Sequence, residues 1–307
     1  RRTSAYSTPF TTGLKRGAGI MKKDIYQEAT EEILAQLKKG TRPWKKSWKG
    51  AGAFPHRFND EKYRGINVIM LWVRALDKGF CSPYWMTFKQ AHELGANVKK
   101  GEKGTAVFYA NTLTVKEENP EGKEEDRTIP YMKKYVVFNA DQIEGLEEKY
   151  YFDPTTEGQE NFKIEEIENF INNIGLDYSI EGQRAFFSAK TDSVTMPSIE
   201  LFRNSQAYYA SFLHEITHWV GGEKRLDREQ RGRGQDKQAY AFEELVAEIG
   251  ACFLCIHFGL DPEIEIDHAP YIQNWIEVLE NDHKAIFKAA AEAQKAVEFL
   301  NEKCALP

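Results

Sequence analysis

The charged residues of this chain are segregated, and that segregation limits what it can fold into. Residues 151–307 carry 14 Lys/Arg against 28 Asp/Glu, whereas residues 21–150 carry 23 against 19 and residues 1–20 carry four basic residues and no acidic ones. Within the first half, residues 38–104 hold 15 basic and 5 acidic residues, a local +10. The overall charge of −6 describes neither half. Two regimes this different read as two domains, and 307 residues suffice for two of about 100–200 each. The expected boundaries are 21–149 for a basic domain, 150–160 for a linker containing Asp153-Pro154, and 161–307 for an acidic domain. Residues 1–20 read as an upstream extension or expression remnant with no assigned function.

Helical periodicity places helices at Asp24–Lys39, Asn67–Leu76 and Thr87–Leu94, and strands at Ala106–Lys116 and Lys133–Asn139 joined by an acidic loop. The second half reads as helices Ile164–Asn173, Ser205–Val220, Lys237–Phe258, His268–Asn281 and His283–Glu302, with short strands at Ala185–Ser188 and Ser193–Met196. The expected architecture is therefore α+β: a small basic α+β domain, then a mostly helical domain with a short sheet. No window approaches the ~18 uncharged apolar residues of a spanning helix. The four cysteines are sparse, which suits a reducing cytoplasm. Cys252 and Cys255 lie in an apolar helical stretch with no matching second pair and read as buried structural residues.

His214-Glu215-Ile216-Thr217-His218 is the strongest chemical signal. Residues four apart share a helix face, so both imidazoles can reach one ion, and Glu215 sits where it can deprotonate a metal-bound water. A catalytic zinc needs a third protein ligand and an open position. The later helix carries Glu243-Glu244-Leu-Val-Ala-Glu248. Glu244 and Glu248 fall on its apolar face, where burial is costly unless a cation or hydrogen bond compensates. Glu244 is the expected third ligand, and Glu248 the expected partner of the far ring nitrogen of a ligand histidine. Glu243 points about 100° away and reads as solvated, without effect on the metal. Two imidazoles and a carboxylate favour Zn2+, and the same set admits Mn2+ or Co2+.

H-E-x-x-H followed by E-x-x-x-[DE] resembles the gluzincin class of zincin-like zinc metallopeptidases. The resemblance implies peptide hydrolysis, an edge strand upstream of the active-site helix that pairs with substrate, for which Ser193–Met196 is the candidate, and an oxyanion-stabilising group. Tyr208, Tyr209, Tyr240 and His268 are candidates for the last, unranked by the sequence.

The basic segment is also aromatic. Trp44, Trp48, Trp72 and Trp85 lie in it, among Lys45, Lys46, Lys49, Arg64, Lys89, Lys99, Lys100 and Lys103. Cations for phosphates and flat rings for bases are the requirements for holding single-stranded nucleic acid. Trp72, in an apolar helix, reads as core; Trp44 and Trp48, in a Lys/Gly/Pro loop, and Trp85 read as contacts, together with the cations. The ordered motifs Gly40-Thr-Arg-Pro-Trp-Lys-Lys-Ser-Trp, Tyr63-Arg-Gly-Ile-Asn, Trp85-Met-Thr-Phe-Lys-Gln-Ala, Val98-Lys-Lys-Gly-Glu-Lys-Gly and Val137-Phe-Asn-Ala-Asp-Gln-Ile-Glu-Gly-Leu resemble the N-terminal domain of ArdC-type antirestriction proteins. Asp192-Ser-Val-Thr-Met-Pro, Arg225-Leu-Asp-Arg and the two metal-site motifs extend the resemblance over residues 22–303. It implies a bacterial cytoplasmic protein of a mobile element, able to pass to a recipient cell in conjugation, that binds single-stranded DNA and protects incoming DNA from restriction. The C-terminal domain would be zincin-like, acting on a protein or peptide such as a host defence protein. The alternative is a metal-bound scaffold without turnover beside the same DNA-binding module.

Overall fold

The protein is described by a computed structural model over residues 24–44, 54–118, 124–151, 164–228, 236–260 and 269–306. Nearly all of the linker expected at 150–160 lies outside these residues, as do Lys45, Lys46, Trp48, Lys49 and His268. The N-terminal half runs α1 (Ile25–Leu37), β1 (His56–Arg57), α2 (Ile66–Lys78), β2 (Tyr84–Met86), α3 (Phe88–Glu93), β3 (Asn97–Val98), β4 (Thr105–Glu118), β5 (Glu124–Asn139) and β6 (Ile143–Glu144). The C-terminal half runs α4 (Ile164–Asn173), β7 (Asp177–Ile180), β8 (Phe186–Ser188), β9 (Ser193–Met196), α5 (Ser205–Val220), α6 (Lys237–His257), α7 (Ala269–Asn281) and α8 (Ala285–Lys303). This is a two-domain α+β architecture whose second domain is mostly helical around a short sheet.

In the first half, β1-β2-β5-β4 form one sheet and β3-β6 a separate pair. The β4–β5 hairpin is longer than the apolar pattern predicts, pairing continuously from Thr105↔Val137 to Glu118↔Glu124. Ladder hydrogen bonds belong to the main chain, so pairing continues through Glu117 and Asp126, which the sequence places in the acidic loop. One hairpin face packs on the helices, with Phe108 at 5.5 Å from Phe287 and Lys134 bonded to Glu28. Asn67 of α2 grips the β4 edge with both ends of its amide, donating to the Phe108 carbonyl and accepting from its N–H.

In the second half the sheet order is β7-β9-β8. The Ser193–Met196 strand has the expected bounds but is the central strand, parallel to β7 and antiparallel to β8, so it offers no free edge. The edge nearest the active-site helix is β8. The polar segment Asp177–Ile180 had given no strand signal, and once it pairs, β9 is closed on both sides.

One apolar core runs through both halves. Trp44 meets Trp275 edge-on at 5.7 Å, and Phe54 and Trp72 each lie 5.9 Å from Phe253 of α6. Among the described residues three ion pairs also link the halves: Lys38–Glu280, Arg64–Glu298 and Arg42–Glu248. The first two are exposed and contribute little; the third is buried.

α5 and α6 cross closely because Gly250 has no side chain. A Cβ there would lie 2.6 Å from Thr217 Cγ2, and Thr217 is a stiff β-branched residue whose hydroxyl is already bonded to the Leu213 carbonyl. Gly250→Ala is expected to destabilise the fold by about 1–3 kcal/mol through overpacking, measured as a lower midpoint in urea denaturation with an unchanged slope.

Candidate metal centre and nucleic-acid face

α5 begins where Asn204 accepts a hydrogen bond from the Ala207 N–H, and every residue from Ala207 to Val220 is buried. α6 begins where the Asp236 carboxylate accepts from the N–H groups of Gln238 and Ala239. Both helices are core elements, so the polar groups they bury must find partners inside the protein.

His214 and His218 turn the same nitrogen toward each other, Nε2 to Nε2, at 3.2 Å. Glu244 of α6 closes the triangle: its Oε2 lies 3.5 Å from His214 Nε2 and its Oε1 3.5 Å from His218 Nε2. These three residues are the group among the described residues that could hold a metal ion. A tetrahedral ion with ~2.0–2.1 Å bonds sets its donors about 3.3–3.4 Å apart, so the donor set fits a four-coordinate divalent ion with one position left over.

The groups behind these donors differ from expectation. Glu243 is not solvated: it is 6% exposed, its Oε1 lies 3.1 Å from His218 Nδ1, and it is held in turn by Arg228 at 2.7 Å. Arg228 arrives because the chain after α5 folds back, and its guanidinium also donates to the Thr217 carbonyl. Helix geometry sets the direction of Glu243, and what lies in that direction is Arg228 and not water. Glu248, expected to bond a ligand histidine, lies 3.9 Å from His214 Nδ1, longer than a hydrogen bond. Its other oxygen pairs with Arg42 from the N-terminal half. Sequence reasoning missed Arg42 and Arg228, whose signals were a single Arg before Pro43 and the Arg225-Leu-Asp-Arg motif.

The electrostatics follow from this crowding. Burial works against charge on His218, but the bonds to Glu243 and Glu244 outweigh it and raise its pKa to about 9. Burial likewise opposes ionisation of Glu243, and His218 and Arg228 reverse that, lowering it to about 2. Glu244 is held well below the usual carboxylate range, against burial, by the two histidines.

Glu215 lies beside this cluster, 5% exposed, with its Oε2 accepting from the Phe187 main-chain N–H at 2.8 Å. Phe187 is the middle residue of β8, and that N–H points away from β9. Of the four candidate oxyanion groups, Tyr240 reaches the centre: it is one turn before Glu244, interacts with it, and its hydroxyl lies 3.2 Å from that of Tyr271. Burial, Tyr271 and Glu244 all raise its pKa. Tyr209 is bonded to Glu168 and Tyr208 packs on Phe202 and Phe212, both away from the donors. His268 is outside the described residues.

The nucleic-acid candidates divide differently. Trp44 is 1% and Trp85 2% exposed, so neither can stack on a base. Trp44 is covered by Trp275, and Trp85 by Phe80 at 5.8 Å. Composition marks a loop as polar without revealing which distant ring covers its one large side chain. Arg64 is tied to Glu298. Lys89, Lys99, Lys100 and Lys103 are exposed, with Lys99 donating to the Asp141 carbonyl and Lys89 3.5 Å from Glu93. Lys45, Lys46, Trp48 and Lys49 lie outside the described residues.

A family model described as a zincin-like metallopeptidase matches residues 165–292, and one described as the N-terminal domain of anti-restriction factor ArdC matches residues 23–138. The uncharacterized protein y4eC of Sinorhizobium fredii is 34% identical over 287 residues, covering 91% of this chain and 92% of its own. DNA primase TraC of Escherichia coli is 35% identical over 303 residues, which is 91% of this chain but 27% of TraC, so the chain spans about a quarter of that relative. Crystal structures of antirestriction protein ArdC from plasmid R388, metal-free and Mn(II)-bound, align with a TM-score of 0.75. They are 42% and 43% identical and cover 92% of this chain and 98% of theirs.

Partners of metal-ligating histidines typically set metal affinity by 10–100-fold. Glu243→Ala is therefore expected to weaken metal binding by about 10–100-fold, and Glu244→Ala, which removes a donor, by more. Competition against a chromophoric chelator reads both. A Glu243→Ala protein with unchanged affinity would remove Glu243 from the centre.

Proposed function

The chain belongs to the ArdC-type antirestriction proteins, and from that membership we propose that it protects DNA entering a bacterial cell, joining a single-strand-binding N-terminal half to a metal-dependent peptidase centre. We place it in the cytoplasm; no described helix is long and apolar enough to cross a membrane. The observation that supports the peptidase reading most directly is the pair of Nε2 atoms of His214 and His218, 3.2 Å apart, each with a Glu244 oxygen at 3.5 Å.

Zinc suits two imidazoles and one carboxylate, and the R388 relative with Mn(II) bound supports a divalent ion in this family. Such an ion, when bound, supplies Lewis acidity toward a peptide carbonyl and toward water. His214, His218 and Glu244 would hold it. Glu243 fixes the His218 ring through Nδ1, so that Nε2 is the atom left to ligate. Glu215 keeps Oε2 on the Phe187 N–H, which leaves Oε1 to take the proton of the attacking water and deliver it to the leaving amide nitrogen. The Tyr240 hydroxyl is the donor for charge developing on the carbonyl oxygen. An extended peptide would lie along the edge strand β8 in place of the central β9, with the Phe187 N–H already held by Glu215. The substrate class is an exposed, extended protein segment, such as a loop of a host defence protein.

The second reading, a metal-bound scaffold without turnover, draws support from the same Glu215 bond. A carboxylate fixed to the main chain of β8 also ties the sheet to the active-site helix, a structural use that needs no catalysis.

Glu215→Gln separates the two readings, because its amide oxygen can still accept from Phe187. We expect the variant to keep metal and thermal stability while losing cleavage of an unfolded protein substrate; cleavage retained at the wild-type rate would remove Glu215 as the base. Wild-type protein that cleaves nothing would favour the scaffold. For the DNA half, affinity for single strands should fall linearly on a log–log salt plot, with a slope of roughly −0.7 per phosphate neutralised. A flat salt response in a fluorescence-anisotropy titration would defeat the DNA reading.

A further inference from the structure

With Trp44 and Trp85 buried and Trp48 outside the described residues, a described ring open to a base must lie elsewhere, and the β4–β5 hairpin supplies two. Strand register puts Thr105, Val107 and Tyr109 on one face with Val137, Tyr135 and Lys133. At the base of that face Thr105, Val107 and Val137 are 1%, 6% and 2% exposed. Two residues further along, the burial stops: Tyr109 and Tyr135 are each 46% exposed. They are diagonal neighbours on one face, close enough for aromatic side chains to act together. Neither ring stacks on another among the described residues, and Asn111 steadies Tyr109 by donating to its hydroxyl at 2.8 Å.

The two rings border a cleft of about 310 Å³ with Val107 and Val137 in its lining, and Arg57, Tyr63 and Gln90 also line it. That volume is at the small end of the roughly 300–1,000 Å³ of ligand clefts, suited to a single flat group. None of the ten lining residues is acidic. The Arg57 guanidinium lies over the Tyr63 ring at 5.4 Å and reaches Glu61 at 3.1 Å, an exposed pair that an anion can displace at little cost. Lys133 stands opposite Tyr109 on the open face, and exposed Lys89 lies between the cleft residues Thr87 and Gln90 in sequence. The cleft belongs to the half with the +10 segment. Exposed rings over an apolar floor, ringed by cations, fit bases strung on a phosphate backbone.

We propose that this cleft is the base-stacking site of the N-terminal half, with Tyr109 and Tyr135 as the rings that hold a nucleobase of single-stranded DNA and Arg57 and Lys133 on its phosphates. The assignment rests on the single-strand reading above and adds to it where, and by which rings, the strand is held.

The test uses the full chain and two labelled strands of equal length, oligothymidylate and an abasic deoxyribose-phosphate oligomer. Wild-type protein should bind oligothymidylate about ten-fold or more tightly than the abasic strand, since stacking is the difference between them. Tyr109→Leu/Tyr135→Leu should bind both strands equally, at the abasic strength, and Tyr109→Phe/Tyr135→Phe should keep the discrimination. Thermal melting should be unchanged in both variants because the side chains are exposed. A Leu/Leu variant that still distinguishes the strands would overturn the site while leaving single-strand binding standing. So would wild-type protein that binds both strands equally, since phosphates alone would then carry the affinity. Wild-type protein that binds neither strand at low salt would overturn both the site and the single-strand reading.

Discussion

The constraint on which the rest of the C-terminal half depends is a set of carboxylates inside a hydrophobic core. Glu215, Glu243, Glu244 and Glu248 are 5%, 6%, 8% and 0% exposed, between helices whose other neighbours are apolar. Removing such groups from water costs several kcal/mol each unless opposite charge and hydrogen bonds compensate. Arg228 and Arg42 supply two positive charges, one on Glu243 and one on Glu248. Against four carboxylates that leaves a formal deficit of two, which is the charge of a divalent cation between neutral imidazoles. Glu244 lies against both histidines, and its bond to His218, with that of Glu243, raises the His218 pKa. Donor spacing and charge thus point to the same occupant independently.

Compensation of this kind shapes the fold around it. α5 and α6 must cross closely enough for carboxylates on one to reach imidazoles on the other, which Gly250 permits against Thr217. The chain after α5 must fold back so that Arg228 meets Glu243, passing through Asp227 at a φ of 46°. The N-terminal half must lie against α6 for Arg42 to reach Glu248. The two charge regimes that suggested separate domains are, at this point, complementary: some of the basic charge of residues 38–104 is committed to the acidic half through Lys38, Arg42 and Arg64. The +10 therefore overstates what is available to a nucleic acid.

What was legible in the sequence was whatever depends on neighbours along the chain. The bounds of α5 follow from its periodicity and capping, and the i, i+4 spacing of His214 and His218 already fixes one shared face. Glu244 was reachable because a carboxylate on an apolar helix face demands a partner. Illegible were the relations set by segments distant in sequence. A helical wheel gives the direction of Glu243 but not the arginine that lies there. Ser193–Met196 has strand character, yet edge or centre depends on whether Asp177–Ile180, a polar four-residue segment, pairs with it. Trp44 sits in a stretch whose composition says loop, and only Trp275 explains its burial. The exposure of Tyr109 and Tyr135 is of the same kind: an alternating strand pattern does not say where its buried face ends, and here it ends between Val107 and Tyr109.

The same long-range contacts hold the described run Thr41–Trp44. Thr41-Arg-Pro-Trp is held at two points, Arg42 on Glu248 and Trp44 on Trp275, with Pro43 between them restricting φ. The run Thr41–Trp44 is therefore anchored at both points, one of them beside the metal centre. Breaking a buried pair by removing one partner typically costs about 3–5 kcal/mol, because the other charge is left stranded. The carboxylate stranded by loss of Arg42 would be Glu248, 3.9 Å from a ligand imidazole. The N-terminal half thus supplies one of the charges that make the centre tolerable, and Glu248 beside the centre anchors Arg42 in return. Neither half is complete at that contact without the other.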